Sequence, residues 1–134
     1  MGSTGSRIIR AQDIMHKGIV TIDGMATARE AAAKMREEKV PCLLVEKRHE
    51  DDAWGILVVQ DFIEGVLIEN RSPDEVNVYE IMTKPTITVP AKMDVRYVAR
   101  LLYRNDIRMA PVEERGDLIG MISLSSLILA NELF

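Results

Sequence analysis

The sequence predicts a mixed α/β (α+β) protein made of two pseudo-symmetric β-α-β-β-α repeats, packed sheet to sheet in one globule. The first observation is an internal repeat: eight of 34 positions are identical when 13–46 is aligned with 80–113. The second is that each copy passes from a short apolar strand to a segment of helical periodicity. The third is a pair of apolar strands in each copy, which predicts a hairpin. Because each small sheet leaves one apolar face uncovered, two such sheets can cover each other.

Each copy opens with a short amphipathic segment, followed by a strand and a helix. The openings end in Asp-Ile-Met at residue 15 and Glu-Ile-Met at residue 82, and the strands are predicted at 19–22 and 86–89. Each helix has one apolar face with i, i+3, i+4, i+7 spacing. These faces consist of Ala28, Ala31, Ala32 and Met35 in the first copy and of Val95, Val98, Ala99 and Leu102 in the second.

A hairpin and a closing helix complete each copy. In the second copy the polar residues 114–117, which include a glycine, predict a tight turn between two apolar strands. The predicted hairpin strands are 40–45 with 54–59 and 107–112 with 118–122, and the closing helices are 60–70 and 124–134. The predicted organisation is a disordered leader or expression scar at 1–7, repeats at 8–70 and 77–134, and a linker at 71–76.

Composition argues against several classes of function. The net charge is −4 and no long run of Lys or Arg occurs, so nucleic-acid binding is not expected. No apolar run approaches the ~20 residues of a membrane span, and the polar N-terminus does not resemble a signal peptide. The single cysteine, Cys42, lies in an apolar stretch and is expected to be a small buried hydrophobe. We therefore expect a cytoplasmic protein.

The order and spacing of these motifs resemble the CBS-domain family, specifically a tandem CBS pair. The resemblance covers about residues 8–132 and includes the two openings, the Val-Thr-Ile and Ile-Thr-Val strands and the glycine-bearing strands before the closing helices. It also includes the Ala110-Pro111-Val112 strand. The family implies a regulatory module that binds adenine nucleotides or related adenosyl ligands in clefts between the repeats. Such modules often dimerise into a flat disc.

The family's site signature is Gly-h-h-Thr/Ser-x-x-Asp/Asn, where h is apolar. The resemblance implies that the carboxylate binds a ribose diol, and that the hydroxyl and the free N–H groups of the helix start meet a phosphate. The first copy has Asp61 at the carboxylate position and Val58 at the hydroxyl position. The second has Ser123 as the hydroxyl and Ser126 in place of the carboxylate. Each site therefore matches half of the signature, and Asp61 is expected to mark the better one.

The remaining site residues are implied by the resemblance. Arg108 stands where the family often places a basic residue toward ligand phosphates, and the backbone beside Thr21 and Thr88 can read the adenine edge. Two alternatives stay open: Arg108 as a solvated strand-edge residue, and Asp61 as a helix cap. The complete predicted nucleotide-binding set is Asp61, Arg108, Thr21, Val20, Thr88, Ile107, Met109, Pro111, Ser123 and Ser126.

These observations predict a non-enzymatic sensor of energy or metabolite state. No paired acid and base, activated nucleophile or metal cluster is evident, so no obligatory cofactor or metal is expected. The expected ligand is AMP, ADP, ATP or S-adenosylmethionine, and an unidentified regulated protein is an expected partner. A homodimer is expected because both closing helices are apolar on more than one side. The alternative is a ligand-free dimerisation or partner-docking module whose nucleotide sites have decayed.

Overall fold

The chain forms two compact units that exchange their opening segments. The computed structural model describes residues 7–131, 133 and 134. We call its units the terminal unit, Met1–Ile19 with Ile87–Phe134, and the central unit, Val20–Thr86. Each unit therefore combines the body of one repeat with the opening segment of the other.

In order, the elements are α1 (Ala11–Ile14), β1 (His16–Lys17), β2 (Thr21–Ile22), α2 (Ala28–Glu38), β3 (Cys42–Val45), β4 (Gly55–Val58), α3 (Val59–Phe62, continuing as a π-helix, Ile63–Leu67), α4 (Val78–Ile81), β5 (Val89–Pro90), α5 (Val95–Arg104), β6 (Met109–Glu114), β7 (Asp117–Ser123) and α6 (Leu124–Leu129).

The central unit contains a three-stranded sheet of order β2-β3-β4. Strand β2 runs parallel to β3, with Thr21 opposite Leu44, and β4 runs antiparallel to β3, with Cys42 opposite Val58. Helix α2 joins β2 to β3, and its face of small residues lets it lie close to the sheet. The buried core of this sheet and its helices consists of Ile22, Ala31, Met35, Leu43, Val45, Leu57 and Val78. Since Val78 belongs to α4, the opening of the second repeat is part of this core.

The terminal unit contains a four-stranded sheet of order β1-β7-β6-β5. Its hairpin turns at Arg115 and Gly116, whose φ angles of 54° and 87° fit the two-residue turn that matches strand twist. Strand β1 comes from the opening of the first repeat and pairs antiparallel with β7. The core consists of Ile9, Ala11, Ile14, Val89, Ala91, Val95, Val98, Leu102, Ala110, Val112, Ile122 and Leu127.

Two glycines of the repeat allow these exchanged segments to approach. A Cβ on Gly120 would lie 2.5 Å from the carbonyl oxygen of His16 in β1. A Cβ on Gly55 would lie 3.2 Å from the carbonyl oxygen of Thr83, which follows α4. Thr83 also exchanges both backbone hydrogen bonds with Ile56, at 2.9 and 3.0 Å. The glycine that opens each site signature therefore makes room for the backbone of the other repeat's opening segment.

The predicted α+β class, the duplicated order of elements and the turn after Glu114 are confirmed, but several predicted details were wrong. The second sheet has a fourth strand, β1, because the backbone of His16 and Lys17 pairs along the edge of β7. Strands 19–22 and 86–89 are paired only at Thr21–Ile22 and Val89–Pro90.

The two closing helices also differ from their predicted bounds. The helix predicted at 60–70 begins one residue earlier and widens into a π-helix, in which the Ile68 N–H donates to the carbonyl of Ile63 at 2.9 Å. The helix predicted at 124–134 ends at Leu129. It stops there because Ala130 leaves helical geometry, and the Asn131 side chain donates to the carbonyl of Leu127, replacing a backbone donor.

An ion pair joins the long hairpin loop of the central unit to the segment after α4. The Lys84 ammonium lies 2.5 Å from the Asp52 carboxylate, which also accepts the backbone N–H of Arg48 at 2.8 Å. Both charged side chains are mostly covered, at 17% and 11% exposed. The hydrogen bond from Lys84, followed by that from Arg48, holds the pKa of the Asp52 carboxyl well below its ordinary value.

We predict that Gly120→Ala destabilises the protein by about 1–3 kcal/mol, because the added methyl group overlaps the His16 carbonyl and must displace β1. Urea unfolding of the purified variant measures this change in the free energy of unfolding. Gly24→Ala is the matched control, since its Cβ would meet only ordinary contacts of 3.5 Å or more. Equal free energies of unfolding for the two variants would contradict the close approach of Gly120 to the His16 carbonyl.

We predict that Asp52→Asn lowers the melting temperature at pH 7 and that its difference from wild type shrinks as the pH falls below about 4. A carboxyl with a lowered folded pKa stabilises the fold fully above its unfolded pKa of about 3.9, and this stabilisation is lost progressively between that value and the lower folded pKa. Thermal melts from pH 7 to about pH 2 test this. Asp51→Asn, a change at the exposed neighbour, should melt like wild type throughout; a constant Asp52→Asn deficit across the pH range would disprove the assignment.

Candidate functional site

Asp61 lies at the start of α3, directly after β4, where its side chain turns back over the helix end. Its Oδ2 atom accepts the backbone N–H of Val58 at 2.8 Å, which is a capping contact. The side chain is half-buried. Burial raises the pKa of the Asp61 carboxyl, the hydrogen bond from Val58 lowers it, and the charge of Glu64 raises it further. The cap uses one oxygen, so Oδ1 remains available as an acceptor among the described residues.

The structure brings the three predicted residues of the central unit to one end of its sheet. Because Cys42 lies opposite Val58 and Leu44 opposite Thr21, the start of β2 and the end of β4 flank the same end of β3. Val20 lies at this end and its carbonyl accepts the N–H of Leu44 at 2.9 Å. Val20, Thr21 and Asp61 therefore share one end of a three-stranded sheet.

One cation at this end of the sheet was not predicted from the sequence. The Nζ of Lys34, on α2, donates to the carbonyl of Thr21 at 2.5 Å, and the lysine is half-buried. An ammonium has three donors, so this bond leaves two for a second acceptor. The sequence feature that could have indicated Lys34 is a single basic residue directly after the three alanines 31–33, on a helix that faces the sheet.

In the terminal unit, the hydroxyls of the site signature are engaged with each other and with the backbone of α6. The Ser123 hydroxyl accepts the N–H of Ser126 at 3.2 Å and lies 3.0 Å from the hydroxyl of Ser125. The Ser126 hydroxyl accepts the N–H of Ser123 at 3.0 Å and donates to the carbonyl of Ser123 at 2.7 Å. Ser126 is buried, at 5% exposed. Its hydroxyl therefore both donates and accepts within the cap.

Two other predicted residues of the terminal unit, Arg108 and Met109, lie at the same end of its sheet as Ser123. Met109 lies opposite Ser123, and the carbonyl of Arg108 accepts the N–H of Leu124 at 2.8 Å at the start of α6. The side chain of Arg108 is exposed, and Pro111 is buried. Together the terminal unit contains Thr88, Ile107, Arg108, Met109, Pro111, Ser123 and Ser126, whereas Val20, Thr21 and Asp61 belong to the central unit.

The described residues provide few groups for covalent or metal chemistry. In 7–131, 133 and 134, no cluster of three or more His, Cys, Asp and Glu side chains has the arrangement of a metal site. Over the same residues, no helix has the length and apolar character needed to cross a membrane. Cys42 is buried, as predicted, and burial raises the pKa of its thiol to about 11. The thiolate is therefore disfavoured at neutral pH.

The chain belongs to the CBS-domain family. The model of the CBS domain matches twice, at residues 11–68 and 78–132, in register with the two repeats of the sequence. The fold described above is the one seen in solved tandem CBS proteins, so the predicted family is confirmed.

Among the solved structures, a hexameric CBS-CP12 protein from bloom-forming cyanobacteria is 41% identical to the chain. The match has a TM-score of 0.87 and covers 91% of this chain and 70% of that one. Two curated relatives are a protein of Methanopyrus kandleri, 29% identical over 91% of this chain, and the mitochondrial CBS domain-containing protein CBSX3 of Arabidopsis thaliana, 31% identical over 78% of it. The chain covers only 62% and 52% of the length of these two relatives.

Proposed function

We propose that this protein is a regulatory module that binds an adenine nucleotide or a related adenosyl ligand and senses energy or metabolite state without catalysing a reaction. Membership of the CBS family supports the regulatory role, since such modules typically bind small ligands. The observation that carries the ligand assignment is the position of Asp61. Its half-buried carboxylate stands at a helix start, with one oxygen in the cap and the other available.

Three groups of the central unit have the chemistry that an adenosyl ligand requires. Asp61 supplies a carboxylate oxygen, which can accept hydrogen bonds from both hydroxyls of a ribose. The family resemblance assigns the adenine edge to the backbone at Val20 and Thr21, whose carbonyls accept from Leu44 and Lys34 and can each accept a second hydrogen bond. The ammonium of Lys34 can meet a phosphate while still bonded to the Thr21 carbonyl. We thus assign ribose recognition to Asp61, base recognition to the backbone at Val20 and Thr21, and phosphate recognition to Lys34.

The terminal unit is proposed to bind such a ligand more weakly. Arg108 supplies an exposed cation beside the start of α6, which suits a phosphate. The position equivalent to Asp61 is Ser126, however, and its only hydroxyl oxygen is engaged by Ser123 in both directions. The cap leaves that buried oxygen a single lone pair and no charge, so a ribose would gain at most one neutral hydrogen bond there. We therefore assign the principal nucleotide site to the central unit.

We also propose that the protein forms a homodimer. Both closing helices expose large apolar side chains, including Leu67 at 69% and Leu129 at 82%. Exposed apolar patches of this kind are uncommon on monomers and favour an interface. A solved relative with 41% identity is hexameric, which supports self-association in this family.

The alternative function is a ligand-free dimerisation or docking module. It is favoured by the capping contacts of Asp61 and Ser126, which give both residues a structural role without any ligand. Under this alternative Asp61 is kept for its cap, and adenine nucleotides do not bind.

We predict that Asp61→Asn weakens nucleotide binding at least tenfold while leaving the fold intact. An asparagine oxygen can still accept the Val58 N–H, but the charge-assisted bonds to the ribose, worth about 1.5–3 kcal/mol each, are lost. Titration calorimetry with AMP, ATP and S-adenosylmethionine measures the affinity, and thermal melting reports on the cap.

Two further variants separate the site from the cap. Gln60→Ala changes an exposed residue of the same helix turn and should keep both affinity and stability. Asp61→Ala removes the cap as well and should lower the melting temperature, at a cost of about 1 kcal/mol. Unchanged affinity in both Asp61 variants, or no binding by wild type, would support the docking module instead.

We predict that Lys34→Met weakens ATP binding about tenfold and adenosine binding little, because only ATP offers phosphate to the lost ammonium. Methionine keeps most of the apolar stem, so packing on the sheet is largely retained. Lys47→Met, in an exposed loop, is the matched control. Added salt should weaken wild-type binding of ATP more than that of adenosine. An equal loss for both ligands would indicate a structural role for Lys34.

A further inference from the structure

Two methionines occupy equivalent positions at the ends of the exchanged opening segments. Met15 follows α1 and Met82 follows α4, and each donates its backbone N–H at 3.0 Å to the carbonyl four residues earlier, that of Ala11 or of Val78. Both have the same extended backbone, with φ angles of −68° and −70° and ψ angles of 154° and 164°. The repeat therefore places a thioether at the same point in each unit.

Each thioether fills the space that a side chain would need at the glycine of a site signature. A Cβ on Gly120 would lie 2.8 Å from the Sδ of Met15, and a Cβ on Gly55 would lie 3.1 Å from the Sδ of Met82. These are the same glycines that lie against the carbonyls of the exchanged openings. Each sulfur therefore packs on the backbone of β7 or β4, beside the contact that holds the opening segment in place.

Both methionines are half-buried, which distinguishes them from two other methionines of the chain. Met15 packs on the core of the terminal unit and Met82 on the core of the central unit. By contrast, Met35 is buried in the central core, and Met25 is 70% exposed. A half-buried thioether is within reach of a small oxidant from solvent, and its oxidation also changes the packing of a core.

We propose that Met15 and Met82 are reversible oxidation sites, and that their oxidation by hydrogen peroxide loosens the contact between each opening segment and the sheet that it joins. The sulfur lone pair forms an S–O bond to one peroxide oxygen as the O–O bond breaks. The displaced hydroxide leaves as water with the proton of the transferred oxygen, so that sulfur is oxidised to the sulfoxide and peroxide is reduced. The sulfoxide oxygen then replaces apolar contacts against the glycine or turns the side chain out to solvent, and either change costs packing.

The backbone pairing directly after each methionine is short. Strand β1 consists of only His16 and Lys17, and Thr83 pairs with β4 through the single residue Ile56. Few hydrogen bonds therefore hold either segment, so a side chain displaced beside them can open the pairing locally. This inference concerns the packing within each unit and is independent of the proposed nucleotide site and of self-association.

Peroxide treatment of the whole chain, followed by peptide mass spectrometry, tests the two sites. Oxidation at Met15 and Met82 should lower the melting temperature by about 5 °C or more. It should also speed deuterium exchange of the amides of β1 and of Thr83 at least tenfold. Methionine sulfoxide reductases, one for each sulfoxide epimer, with dithiothreitol remove the oxygen as water while the thiols become a disulfide, and this treatment should restore both quantities. Cys42 is buried and the pKa of its thiol is raised to about 11, so it reacts slowly with peroxide.

Leucine variants separate these two methionines from the others. A variant carrying Met15→Leu and Met82→Leu keeps the apolar volume but has no sulfur at either site. After peroxide treatment it should melt like its own untreated form, a comparison that removes any cost of the substitutions themselves. Met25→Leu is the matched control, since it removes an exposed methionine, and peroxide should lower its melting temperature as much as that of wild type.

Several results would overturn the proposal. One is sulfoxide at both positions with unchanged melting and exchange, and another is an equal loss in the variant that lacks both sulfurs. Failure of Met15 and Met82 to react once Met25 is fully oxidised would show that peroxide does not reach them. A loss that persists after mass spectrometry shows complete reduction would refute the reversibility.

Discussion

The same kind of capping hydrogen bond occurs at the start of five of the six helices in the described part of the chain. In each case the N–H of the residue before the helix donates to the side chain at the third helical position. The acceptors are Asp13, Glu30, Asp61, Glu80 and Ser126, and α5 instead uses Asp94, which precedes the helix. Because short helices have few internal bonds, satisfying an end group is a large part of their stability. Folding therefore constrains both the position and the side-chain type of these residues, whether or not a ligand binds.

This constraint explains why the two site signatures are not equivalent. A carboxylate has two oxygens, so Asp61 can cap α3 with one and keep the other for a ligand. A serine has one oxygen, and Ser126 uses it both to accept from and to donate to Ser123. The same position in the repeat thus supports a cap in both units, but only Asp61 keeps a second, charged oxygen outside the cap.

Packing also constrains the glycines of the signature. Gly120 and Gly55 open the two site signatures in sequence, and each lies against the carbonyl of a residue from the other repeat's opening, His16 and Thr83. The absence of a side chain lets β1 pair with β7 and lets Thr83 bond to Ile56. The exchange of openings ties each unit to residues distant in sequence, which makes each opening segment part of a core. A motif that identifies a ligand-binding family is thus also a requirement of backbone packing.

The sequence alone determined the α+β class, the duplication and the tight turn at Arg115 and Gly116, because periodicity and turn chemistry are local properties. It also indicated the cap formed by Asp61, while the ribose contact of this residue stays a prediction. Only the tertiary structure decided that the openings are exchanged, since pairing of β1 with β7 joins residues about a hundred positions apart. It likewise placed Lys34 on the Thr21 carbonyl and engaged the Ser126 hydroxyl. The cap of Asp61 was foreseen because it joins residues three positions apart, whereas the bond from Lys34 to Thr21 spans thirteen positions and depends on how α2 packs on the sheet.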